Sequence, residues 1–135
     1  MKRLLQTISI LFLSIVCLAQ TAVYSGQIAT IYSAASPTTG TASAVFNVPG
    51  TQNNPQIGFS IGGAFSGTPG TFEFDLQESD NSTGPWVTNT NYELTTSDSN
   101  NNWRMDVVTT TRWFRLLCKT QTSNSVTLTA TVARP

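Results

Sequence analysis

Histidine is absent from this chain of 135 residues, and charged residues make up only 10% of it. The sequence therefore lacks the usual general base of serine and cysteine hydrolases, and the commonest metal ligand of proteins. Cys118 has no histidine partner, which argues against a cysteine nucleophile. We predict that the protein is not an enzyme and that it uses no metal or other cofactor.

The first 19 residues have the order of features found in a secretory signal. Two basic residues precede the apolar stretch Leu4–Ala19, which contains no Asp or Glu and is shorter than the roughly 20 residues that span a bilayer. We predict that residues 1–19 are a signal peptide cut after Ala19, and that the mature protein is extracellular or attached to a cell surface. A retained membrane anchor and a lipoprotein modified at Cys17 are the alternatives.

The predicted mature chain, residues 20–135, carries five basic and seven acidic side chains, and hence a net charge of −2. Nucleic acids and anionic membrane surfaces are bound by clusters of Lys and Arg, so we predict neither partner. Low charge weakens the repulsion between copies, which favours self-association. Cys118 would be the single cysteine, either a small buried side chain or a link between chains.

Alternation of apolar and polar residues with a period of two continues throughout the mature chain. It predicts about eight short strands joined by turns rich in Gly, Pro, Asn and Ser, and therefore an all-β fold. At this length the expected architecture is an antiparallel β-sandwich, Ig-like or jelly-roll-like. One side of each predicted strand carries these apolar residues: Ile28 and Tyr32; Ala42, Ala44, Phe46 and Val48; Ile57, Phe59 and Ile61; Phe72, Phe74 and Leu76; Phe114, Leu116 and Cys118; Val126, Leu128, Ala130 and Val132.

Two further features refine this organisation. Residues 20–35 precede the compact domain, residues 36–135, and are strand-like but nearly uncharged. This N-terminal segment could add as a strand to the open sheet edge of a neighbouring copy. Within the domain, Gly62-Gly63 interrupts an apolar alternation and predicts a bulge or bend.

The second half of the chain resembles β-sandwich modules of tailed-phage virions and bacterial surface proteins. The resemblance covers residues 56–135. It is carried by Gly63-Ala64-Phe65-Ser66-Gly67, Thr71-Phe72-Glu73-Phe74-Asp75-Leu76-Gln77-Glu78-Ser79-Asp80, Trp86-Val87, Trp113-Phe114-Arg115-Leu116 and Thr127-Leu128-Thr129-Ala130. It implies a structural, decorating or carbohydrate-adhesive role. Virion proteins assemble in the cytoplasm without an export signal, so the predicted signal peptide favours a cell-encoded surface protein over a virion protein.

Three residues are candidates for contact with a ligand or partner: Trp103, Trp113 and Arg115. We expect Trp103 to be exposed because it follows the Asn-rich segment 100–102. We expect Arg115 to stack on an aromatic ring or to pair with an acidic residue, Glu73 or Asp75, across the sheet. Trp86, after a turn, is expected to cover one end of the core.

Acidic residues offer two further sites with competing interpretations. Glu73 and Asp75 lie on one strand face, about 7 Å apart, a spacing that suits inverting glycosidases and also ordinary solvated sheet faces. The segment Glu78–Ser82 clusters oxygen ligands that could hold calcium, but a turn capped by its own side chains is favoured. Asn81-Ser82-Thr83 is also a glycosylation sequon.

These observations favour a structural subunit or surface decoration that assembles with copies of itself, as a filament, surface layer or virion-like particle. The alternative is a secreted carbohydrate-binding or adhesive module, which needs two or three aromatic rings exposed on one face. Its partner would be a surface glycan.

Overall fold

The computed structural model of the protein describes residues 21–50, 56–67, 70–96, 102–122 and 127–135, so the predicted signal peptide lies outside the described residues. Within these ranges every regular element is a β-strand. No helix that could cross a membrane occurs in them. The strands are β1 (Thr21–Ala22), β2 (Ile28–Ala35), β3 (Phe46–Asn47), β4 (Ile57–Ser66), β5 (Phe72–Ser79), β6 (Val87–Thr96), β7 (Asn102–Thr109), β8 (Trp113–Gln121) and β9 (Thr127–Ala133).

The strands form two sheets, one of five strands in the order β1-β3-β8-β5-β6 and one of four in the order β2-β9-β4-β7. All the pairings are antiparallel except that of β1 with β3. The predicted all-β, antiparallel sandwich is confirmed. The sequence does not predict β1, whose two paired residues are too short to show a period.

Aromatic rings from the two sheets meet in the space between them. The rings of Phe59 on β4 and Phe114 on β8 lie 4.7 Å apart, centroid to centroid. Phe65 and Phe72 lie at the same distance, also across the two sheets. The alternation predicted for β4, β5, β8 and β9 is confirmed for the described residues, because these inward residues are all buried: Ile57, Phe59, Ile61, Phe72, Phe74, Leu76, Phe114, Leu116, Cys118, Leu128, Ala130 and Val132. Val126, which was also predicted to face inward, lies outside the described residues.

Strand β2 does not keep the simple alternation expected of it. Ile28 and Tyr32 were expected on one side, but Ile28 is 70% exposed and Tyr32 only 6%. The pairing with β9 shifts register between Thr30 and Tyr32. The extra residue at this irregularity moves Tyr32 to the inner face, where Ile31 is buried as well.

The segment before β3 also differs from the prediction. Regular pairing is confined to Phe46 and Asn47, and Ser43 and Val45 are buried where Ala42 and Ala44 were expected. Ser43 explains the change, because its N–H donates to the carbonyl of Leu116 at 2.8 Å and its Oγ accepts the Leu116 N–H at 2.9 Å. This polar side chain takes an inner position because β8 satisfies it there.

Gly62-Gly63 does not cause the predicted bulge. Both residues pair in regular register with β7 and β9. Gly63 instead lies under the indole of Trp103, where an added Cβ would be 2.3 Å from Cζ2. The glycine is therefore required because the Trp103 ring crosses its position, and the pairing of β4 continues without interruption.

We predict that Gly63→Ala destabilises the fold by about 1–3 kcal/mol, because the Trp103 ring must leave its place against Phe74. Gly58→Ala is the matched control on the same strand, since a Cβ there meets no atom within 4 Å. Its free energy of unfolding should change by less than about 0.5 kcal/mol. Urea denaturation of the three proteins measures both values, and equal stabilities would contradict the packing described.

Candidate functional site

Arg115 lies on the outer face of the five-stranded sheet, where an aromatic ring and an amide surround its guanidinium. The guanidinium carbon is 4.6 Å from the centroid of the Trp86 ring. Nε donates to Oε1 of Gln77 at 2.8 Å, and Gln77 in turn donates to the hydroxyl of Thr88 at 3.4 Å. Partial burial lowers the pKa of Arg115, but arginine remains charged at neutral pH. Stacking on a ring, one of the two contacts expected for Arg115, is confirmed.

Trp113 lies two residues before Arg115 on β8 and therefore on the same outer face. It is half-buried, opposite Asn47 on β3 and Ser79 on β5. We call Trp86, Trp113 and Arg115 the tryptophan–arginine patch. It combines two indole rings and one cation on a single sheet face.

Trp86 belongs to this patch although it was expected to cover the core. It is half-buried and stacks on Arg115 outside the sandwich, so that expectation is wrong. Its ring also contacts Gly84, where a Cβ would be 2.8 Å from Cδ1. The turn before β6 thus packs against the Trp86 ring, and this contact holds the ring on the outer face.

Trp103 is not exposed, and that expectation is also wrong. Only 7% of the residue is accessible, and its ring stacks on Phe74 with centroids 6.0 Å apart. Its buried Nε1 has no hydrogen-bond partner in the described part of the chain. The polar segment before it suggested a loop position, but the alternation of β7 turns Trp103 inward over Gly63.

The two carboxylates of β5 have partners typical of a sheet surface. Glu73 accepts a hydrogen bond from the Thr120 hydroxyl at 3.0 Å. Asp75 is 3.9 Å from Nζ of Lys119, which also forms an ion pair with Glu93. These carboxylates raise the pKa of Lys119, chiefly through its hydrogen bond to Glu93. The arrangement fits the solvated-face interpretation of the pair.

The turn after β5 is held by its own side chains, as expected. Oδ1 of Asn81 accepts hydrogen bonds from the Thr83 N–H at 3.0 Å and from the Thr83 hydroxyl at 2.9 Å. Glu78 accepts from Asn89 and from Thr109, and so connects the ends of the two sheets. Across the described ranges, no three Cys, Asp or Glu side chains come together as metal ligands would.

Cys118 is buried, as one of the two interpretations of its sequence position expected. Burial raises the pKa of its thiol, which opposes formation of the reactive thiolate. Its neighbour across the sandwich, Tyr32, has a hydroxyl whose pKa is also raised by burial. Neither group offers a nucleophile to solvent.

No protein-family model matches the sequence, and no curated protein matches it either. The resemblance to virion and surface modules stays a prediction. The site is therefore described by its own chemistry, in which the tryptophan–arginine patch provides stacking surfaces and one cation.

We predict that Arg115 and Trp86 stabilise each other by about 0.5–1 kcal/mol, as expected for a cation over an indole ring. A double-mutant cycle of Arg115→Met and Trp86→Leu, read by urea denaturation, measures this coupling. Arg104→Met, an exposed arginine of β7, is the matched control and should be additive with Trp86→Leu. Equal coupling energies in the two cycles would show that the stacking contributes nothing.

Proposed function

We propose that the protein is a non-enzymatic, extracellular structural subunit or surface decoration that binds copies of itself through its N-terminal segment. The observation that carries this proposal is the position of residues 21–35. They form an edge strand in each sheet on one side of the sandwich, and they bury three large side chains in its core: Val23, Ile31 and Tyr32. An element that is peripheral in the sheets but anchored by apolar side chains is suited to exchange between copies.

The hydrogen bonds of the segment are those that any copy of it could make. The Val23 N–H donates to the carbonyl of Asn47 at 2.7 Å. The Gly26 N–H donates to the carbonyl of Arg134 at 2.8 Å, just before β2 pairs with β9. Main-chain bonds supply affinity and the buried side chains supply register, as in other cases of strand addition.

On the opposite side of the sandwich the edge strands are β6 and β7, and side chains form hydrogen bonds with their backbone groups. The Tyr92 hydroxyl of β6 accepts the Val108 N–H of β7 and donates to the Val108 carbonyl, both at 2.9 Å. On β6 itself, Oδ1 of Asn89 accepts the Asn91 N–H at 3.1 Å. These bonds occupy backbone groups that an incoming strand would need. They favour the N-terminal side as the interface.

The connection from β2 to β3, residues 36–45, is long enough to allow exchange. Ten residues reach about 33 Å when extended, whereas stacked sheets are only about 10 Å apart. In the described structure this connection folds back on β8, with the Gly40 N–H donating to the Cys118 carbonyl at 2.8 Å. Opening it would let the segment fill the same groove of a neighbour.

A disulfide between Thr30→Cys and Thr131→Cys, which are paired on β2 and β9, tests this proposal. We predict that oxidation before assembly holds the N-terminal segment on its own chain, so that light scattering detects no high-mass species. Oxidation after assembly should instead join two chains covalently, and a denaturing gel should then show the linked chains. The matched control, Ala64→Cys with Asn102→Cys, joins β4 to β7 and should leave assembly unchanged. Assembly of the locked protein, or a wild-type protein that stays monomeric, would refute the proposal.

A second candidate function is adhesion to a surface glycan, and the tryptophan–arginine patch favours it. Sugars stack on indole rings, and Arg115 contacts the Trp86 ring and lies on the same strand face as Trp113. Trp113→Ala should then reduce glycan-array signals at least about tenfold, whereas Tyr24→Ala, an aromatic residue that is 60% exposed elsewhere, should not. An array without signal, or equal signals from both variants, would remove this candidate.

A further inference from the structure

A cavity of about 300 Å³ lies at one end of the sandwich, between the turn that follows β5 and the turn that precedes β8. No residue of the N-terminal segment and none of the three residues of the tryptophan–arginine patch belongs to its described lining. Ligand pockets in proteins begin at about this volume, so the cavity is large enough for a single ring-sized molecule. Its lining residues are Glu78, Ser79, Asp80, Asn81, Pro85, Val87 and Thr111.

The polar part of the lining is rich in oxygen atoms with hydrogen-bonding capacity. The Glu78 carboxylate is held in place by Asn89 and Thr109, which donate to its two oxygens at 3.1 and 3.0 Å. Each oxygen can accept a second hydrogen bond. Ser79 is only 6% exposed, and its hydroxyl accepts the Asn81 N–H at 3.3 Å, which leaves its proton to donate. Such a fixed set suits a ligand with several hydroxyl groups.

The charge of the lining selects against anions. Two carboxylates, Glu78 and Asp80, line the cavity, and its described lining contains no Lys or Arg. An anionic ligand would be repelled, whereas the hydroxyl groups of a neutral ligand donate to carboxylates in strong, charge-assisted bonds.

Two lining residues, Pro85 and Val87, are apolar and exposed. Pro85 and Val87 lie on either side of Trp86 in the chain, and Val87 is 64% exposed although it is a large aliphatic side chain. A pyranose ring presents C–H groups on one face and hydroxyl groups around its rim. The cavity offers an aliphatic wall for the first and an oxygen-rich wall for the second.

We propose that this cavity binds one ring of a neutral saccharide, with Glu78 and Asp80 accepting hydrogen bonds from its hydroxyl groups and Val87 packing on its C–H face. The proposal concerns a binding site and does not depend on assembly. It also differs from adhesion at the tryptophan–arginine patch, because Trp113 does not line the cavity.

The test is a titration of the ¹⁵N-labelled protein with neutral methyl glycosides of gluco, galacto, manno and N-acetylglucosamine configuration, followed by amide chemical shifts. We expect at least one glycoside to shift the amides of residues 78–81, 87 and 111, and glucuronate to bind at least about tenfold more weakly. Asp80→Asn should weaken binding about tenfold, because it removes a charge-assisted bond without changing the shape of the side chain.

Val87→Arg, which fills the mouth of the cavity, should abolish the shifts. Val108→Arg, at a valine that is 57% exposed on β7, is the matched control and should leave them unchanged. The proposal is overturned if no glycoside shifts the lining amides, if Val87→Arg binds as the wild type does, or if calcium chloride alone shifts them and no glycoside does.

Discussion

The contact of phenylalanine rings across the two sheets is the constraint on which the remaining structure depends. Phe59 against Phe114 and Phe65 against Phe72 fix both the spacing of the sheets and their relative position. Cys118, the one cysteine among the described residues, is free, so no disulfide there contributes to stability. Burial of apolar area must therefore hold the sandwich together. The same constraint explains the glycine at position 63. The Trp103 ring can join the row of rings only because its partner on the neighbouring strand β4 has no side chain.

The sequence predicts the fold wherever apolar and polar residues alternate along a strand without interruption. For β5, β8 and β9 a period of two residues is sufficient, since the described residues predicted to face inward are apolar and all are buried. The prediction fails where a tertiary contact overrides the period. Ser43 occupies an inner position because β8 satisfies its hydroxyl, and the irregular pairing of β2 moves Tyr32 to the inner face. Neither contact leaves a local signal in the chain.

The candidate site is predicted in part. The spacing of Trp113 and Arg115 places them on one face from the sequence alone, because residues two apart on a strand point the same way. Trp86 could not be assigned to that face, since its position depends on the folded turn around Gly84. Trp103 shows the reverse error. A polar segment before a tryptophan suggested exposure. Trp103 is, however, two and four residues before the apolar Met105 and Val107, and this alternation, visible in the sequence, would have indicated that its ring is buried.

The pairing of β2 with β9 has a mechanical consequence. Ile28, at the start of β2, lies opposite Ala133, at the end of β9. Tension applied through the chain before β2 and after β9 would therefore load the ladder from one end and break its hydrogen bonds one after another. Such a peeling geometry yields at lower force than a sheared one, in which all the bonds resist together. Under such tension β2 would detach residue by residue from Ile28, and Tyr32 would leave its contact with Phe74 only after the residues before it.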